Sequence, residues 1–166
     1  MPAKKSFWNS PHEAPATLKE FKGNFLHHVT LLESAVSCIG EGIHSHDFAK
    51  RAGKRLGPFL SKTPAGYEGN DFVCCSRKPF FYQMQRLAFP TVSFVCAVPE
   101  RNANDVNADF DPWNQTNVKV RIPTRQIAAV VIAKGRIREK QLAAVIRASQ
   151  EKGIPVYRAN GKRIWP

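Results

Sequence analysis

Residues Thr91 to Val98 read Thr-Val-Ser-Phe-Val-Cys-Ala-Val, apolar at odd and even positions alike. A strand of that kind is apolar on both faces and belongs in the middle of a sheet. Around it, Val118 to Ile122 and Ile127 to Ala133 read as strands. Glu139 to Lys152 places Leu142, Ala143, Val145 and Ile146 at helical spacing and stops at Gly153. Ile154 to Arg158 reads as a final strand, followed by an Asn160-Gly161 turn and Ile164-Trp165.

On the N-terminal side, Asn24 to Val29 reads as a short strand leading into a helix. Thr30-Leu31-Leu32-Glu33 has the T-x-x-E form of a capping box, and Leu32, Ala35, Val36 and Ile39 recur at helical spacing before Gly40 and Gly42. Asp47 is placed to cap a basic helix running to Leu56, ended by Gly57-Pro58. Ser61 to Asn70 is a loop, Asp71 to Cys75 a short strand, and Pro79 opens a helix through Arg86. Glu100 to Asn117 is a long polar connection, a length that often marks a functional loop. Strands and helices come in mixed order without a repeat. The class is α+β, with one curved, mainly antiparallel sheet or a split pair of sheets. The 166 residues suit a single domain over residues 21–166, behind a Pro-, Lys- and Ser-rich arm over residues 1–20.

Charge sets the expected partner. Lys and Arg number 25 against 13 Asp and Glu, for a net +12. A balance this basic attracts phosphate polymers, so nucleic acid is the expected partner. Twelve of the cations, with only Glu139 and Glu151 to offset them, fall between Lys119 and Pro166. A second cluster, Lys50, Arg51, Lys54 and Arg55, puts like charges on one helical face. Neither segment carries a broad apolar face, which argues against a membrane surface. No apolar run approaches the roughly 20 residues of a membrane helix, and no signal-peptide core is present, so a cytoplasmic setting is expected. Cys38, Cys74, Cys75 and Cys96 include no C-x-x-C pair and read as buried thiols in a reducing compartment.

Three constellations offer chemistry. Leu26-His27-His28-Val29-Thr30 puts a His at a strand end beside a helix start, where an imidazole can bond a ribose hydroxyl. His44 and His46 would share one side of a strand, but no third ligand is identifiable, so no metal site is read. Phe80, Phe81 and Tyr82 lie among Arg77, Lys78 and Arg86, and Trp113 sits in the long connection; rings with flanking cations can stack bases and hold phosphates. No phosphate-loop, dinucleotide or serine-hydrolase motif occurs.

The stretch Leu26 to Ser45 resembles the opening of ADP-ribosyltransferase-fold proteins, in which a strand ending in His, one residue and then Thr feeds a helix and a Gly-Ile turn. Phe72 to Ser76, Arg77 to Tyr82, Val118 to Ile132 and Gly153 to Pro166 follow in the order of the DarT-type DNA ADP-ribosyltransferase toxins. The resemblance spans Asn24 to Pro166 through short, degenerate pieces. It implies split, mainly antiparallel sheets with NAD, as substrate, across the split. His28 would contact the nicotinamide ribose with Thr30 near it, Ser76 would line the pocket, and Tyr82 or Phe81 would stack on a ring. Lys50, Arg51, Lys54, Arg55, Arg77, Lys78 and Trp113 would hold the nucleic acid.

The family's catalytic Glu belongs at the start of the Val118 strand, where this chain has Asn114-Gln115-Thr116-Asn117. Gln115 and Asn117 can bond a ribose hydroxyl but carry no negative charge for an oxocarbenium-like transition state. Glu100 is the first candidate for a displaced acid, followed by Asp109, Asp111 and Glu68. The alternatives are a non-catalytic nucleic-acid-binding protein on the same or another fold, or a basic nuclease using His27 or His28 as general base or acid.

Overall fold

The computed structural model describes residues 25–53, 71–77, 90–105, 115–132, 137–158 and 162–166. The elements run β1 (Phe25–Leu31), a 3-10 turn, α1 (Ala35–Glu41), β2 (Ile43–His44), α2 (His46–Arg51), β3 (Phe72–Ser76) and β4 (Thr91–Ala97). A second 3-10 turn (Glu100–Asn102) leads to β5 (Ala103–Asp105), β6 (Gln115–Lys119) and β7 (Arg121–Ile122). β8 (Ile127–Ile132), α3 (Glu139–Lys152), β9 (Val156–Arg158) and β10 (Arg163–Trp165) complete the order.

Among the described residues, eight strands form one sheet in the order β10-β9-β8-β4-β1-β3-β6-β5, and β2 pairs with β7 apart from it. Every pair of described strands is antiparallel except β8 with β9, which α3 connects. β4 sits between β8 and β1, and six of its seven residues are buried. That is where an apolar run on both faces has to go.

One face of the sheet packs on α1 and α3. Leu26, Val92, Phe94, Val130, Ile132 and Val156 meet Ala35, Ile39 and Val145 in a single core, with Phe94 and Ile39 fully buried. Strand alternation sends His27, Ser93, Val131 and Tyr157 to the other face, where they too are buried.

Local rules and tertiary pairing compete at several points. The T-x-x-E box does not form. Thr30 and Leu31 stay in β1, paired with Val92 and Thr91, so the chain enters the helix only after a 3-10 turn, and Ser34 at the α1 start makes no side-chain cap bond. Seven residues of ladder with β4 outweigh one cap. Ser45, rather than Asp47, caps α2 by accepting from the Phe48 amide at 3.2 Å, and α2 ends at Arg51. The long connection after Glu100 contains two strands, β5 and the first residues of β6, paired Asp105 to Thr116. The last strand is β10, not β9; the two form an antiparallel pair.

α1 is tied down at its far end. Gly42 ends it at φ 93°, and a Cβ there would lie 2.7 Å from the Ile122 carbonyl oxygen. The Thr124 hydroxyl donates to the Ile39 carbonyl at 3.0 Å, satisfying one of the acceptors that a helix end leaves open. Val120, between β6 and β7, has φ 67° although its side chain is β-branched. Its amide donates to the Asp71 carbonyl at 2.8 Å, and its carbonyl accepts from the Ser45 amide at 2.8 Å. These bonds hold a conformation that costs on the order of 1–3 kcal/mol. No helix among the described residues is long and apolar enough to cross a membrane.

Candidate functional site

β1 pairs with β4 along all seven of its residues but with β3 at one position only, His27 opposite Ser76. Beyond that pair the two strands part, and the sheet divides there. The His28 ring occupies the division: Nδ1 donates to the Cys74 carbonyl at 2.9 Å. A side chain thus takes the place of a backbone ladder. The bond fixes the tautomer, because a carbonyl can only accept. Burial pulls the His28 pKa below its ordinary value, while the Cys74 bond acts in the opposite sense. The ring is therefore neutral near pH 7, with Nε2 left as an acceptor for a hydroxyl. Thr30 follows on the same face two residues on, half-buried like His28.

The other expected NAD contacts are divided between the faces. Ser76 and Asn117 are buried and share the face of His27, opposite that of His28. Burial pushes the pKa of His27 down to about 4. The Gln115 backbone pairs with Ser76. Tyr82 and Phe81 lie outside the described residues, as do Lys54, Arg55, Lys78, Trp113, Glu68, Asp109 and Asp111.

Arg77 and Glu100, expected at nucleic acid and in catalysis, meet each other. Arg77 holds Glu100 through two nitrogens at 3.1 and 3.2 Å. Its Nε and second terminal nitrogen reach Asp105 at 2.7 and 3.3 Å. The Thr116 hydroxyl donates to the same Asp105 at 2.8 Å. Its bonds to Asp105 and Glu100 raise the Arg77 pKa, and its bond to Asp105, with that of Thr116, lowers the Asp105 pKa. Asp105 and Thr116 in this role escaped sequence reasoning; the available signal was the return of the chain from β5 to β6, which makes residues 105 and 116 neighbours.

On α2, Lys50 and Arg51 are exposed, and Arg51 reaches Asp71 at 3.3 Å. His44 donates from Nε2 to the Glu41 carbonyl at 3.1 Å and meets the Phe48 ring edge-on, while His46 lies in α2 near Asp47. The two imidazoles belong to different elements, and no set of three metal-ligating side chains occurs among the described residues.

The strand order, the division beside β1 and the flanking helices define an ADP-ribosyltransferase fold of the DarT type. Its solved counterparts include Thermosipho africanus DarTG in complex with ADP-ribose, at 13% identity and TM-score 0.53 over 82% of this chain and 50% of that one. Thermus sp. 2.9 DarT in complex with carba-NAD+ gives 11% identity and TM-score 0.50 over 82% of this chain and 95% of that one. This chain thus spans half the length of the DarTG chain. No family model and no curated protein matches the sequence.

Proposed function

We propose that this domain takes NAD as substrate at the division between β1 and β3 and transfers ADP-ribose onto nucleic acid. The carrying observation is His28, locked by the Cys74 carbonyl into the one neutral tautomer that presents Nε2 as an acceptor. The residues at the division suit a ribose: a neutral imidazole acceptor with Thr30 on the same face. The likeness to proteins solved with ADP-ribose and carba-NAD+ supports the same reading. The net charge of +12 supports a polyanionic acceptor, and a cytoplasmic setting goes with it. Incubation with labelled NAD and DNA, RNA or protein tests the reading: label on nucleic acid is expected, and absence of NAD binding by calorimetry overturns it.

One observation favours a second reading, in which the fold binds nucleic acid without turnover. β6 begins Gln115-Thr116-Asn117, and Glu100 and Asp105, the carboxylates beside its start, are both bound by Arg77. Salt-sensitive retention of nucleic acid with no NAD consumed would select it.

A further inference from the structure

The expected nucleic-acid contacts differ sharply in how much of their charge is already engaged. Arg77 is held by two carboxylates. Elsewhere, the sequence between Asp111 and Glu139 holds no acidic residue and six cations. Four of them, Lys119, Arg121, Arg125 and Arg138, are described, and all four are exposed.

The backbone brings two of these against α2. His44, just before α2, pairs with Arg121 across β2 and β7. The Ser45 amide, at the α2 cap, bonds the Val120 carbonyl at 2.8 Å, and the Val120 amide bonds Asp71 at 2.8 Å. Asp71 in turn reaches Arg51 at the other end of α2, at 3.3 Å. Val120, the left-handed residue between Lys119 and Arg121, therefore lies alongside the helix that presents Lys50 and Arg51. The proximity is felt electrostatically: burial lowers the His44 pKa, and the charge of Arg121 lowers it further. Strained backbone of this kind persists where surrounding bonds over-determine it, and it concentrates at functional surfaces.

We propose that α2 and the β6–β7 bend form one docking strip for the phosphate backbone of a nucleic-acid strand, with Lys119 and Arg121 as its central contacts beside Lys50 and Arg51. The inference rests on the nucleic-acid reading above and adds where the strand lies. Cations spaced along a bend and a short helix suit a row of phosphates, each engaged cation releasing a counterion.

The test compares Lys119→Gln/Arg121→Gln with Lys162→Gln/Arg163→Gln at the β10 edge, another exposed basic rim. Labelled single-stranded and duplex oligonucleotides are titrated over a range of salt, with thermal melting to confirm folding. The first pair is expected to weaken binding roughly tenfold and to reduce the salt slope by about 2, with the edge pair showing the smaller loss. Single substitutions Lys119→Gln and Arg121→Gln, each with about half the change in slope, stand in if the double variant misfolds. Wild-type affinity in the first pair, or a larger loss in the edge pair, overturns the placement and leaves the nucleic-acid reading standing. Failure of the wild type to retain either oligonucleotide overturns both.

Discussion

The imidazole of His28 donates to the carbonyl of Cys74 across the place where β1 and β3 separate, at 2.9 Å. The ring is a strut and, on the proposed reading, a ligand-facing group as well, so a substitution acts on both roles. His28→Ala is expected to weaken NAD binding by roughly tenfold or more, the scale of one lost hydrogen bond to a buried partner. His28→Gln keeps a donor for Cys74 and should recover more stability than affinity. Calorimetry with NAD, beside thermal melting of each variant, separates the two.

Stability should fall as the solution becomes acidic. His27 is buried with a pKa near 4, below the ordinary 6.5, so the unfolded chain takes up its proton first. The neutral ring's contribution is complete above about pH 6.5 and is lost progressively towards pH 4, about 3 kcal/mol in all. His28, shifted in the same direction, adds to the trend. Urea midpoints measured from pH 7 to pH 4.5 should decline, and His27→Gln should flatten the decline.

Arg77 is expected to matter more for the fold than for nucleic acid. Arg77→Gln strands Glu100 and Asp105 beside each other and should cost about 1–2 kcal/mol, moderated because both carboxylates are largely exposed. Arg77→Lys should recover little, since one ammonium cannot reproduce a fork that serves two carboxylates. Oligonucleotide affinity should change less than in the Lys119/Arg121 variant. Chemical denaturation and the same binding titration provide the comparison.

Two glycines with positive φ should respond differently to alanine. Gly42→Ala meets the Ile122 carbonyl at 2.7 Å in addition to its φ of 93°. Gly153, at φ 67°, has nothing within 4 Å of a new Cβ. Gly153→Ala should cost about 1 kcal/mol, the backbone penalty alone. Gly42→Ala should cost about 2–3 kcal/mol, with displacement of the β7 end. Thermal unfolding of both variants checks the ranking.

Periodicity made part of this fold legible. Thr91 to Ala97 and Ile127 to Ile132 were recognisable because central strands are apolar throughout, and Glu139 to Lys152 because its apolar spacing ends at a left-handed glycine. His28 stood out through its place before Thr30 in a family-like opening. Contacts between distant residues left no local trace. Arg77 meets its partners 23 and 28 residues away, a pairing that no local pattern announces. Thr30 looked like a cap because a local motif carries no information about the ladder with Val92 that claims it. β5 and β10, three residues each, are too short for alternation to show.

On the proposed reading, the division beside His28 also makes substrate part of the architecture. Two groups of strands meet at one backbone pair and one imidazole. A molecule that bridges them mends the sheet where its own ladder stops. Such a ligand stabilises the folded state by mass action, about 2.7 kcal/mol at a hundredfold excess over its Kd. Melting temperature then reports occupancy directly, and starvation for that ligand would leave the seam between the two groups of strands as the first place to open.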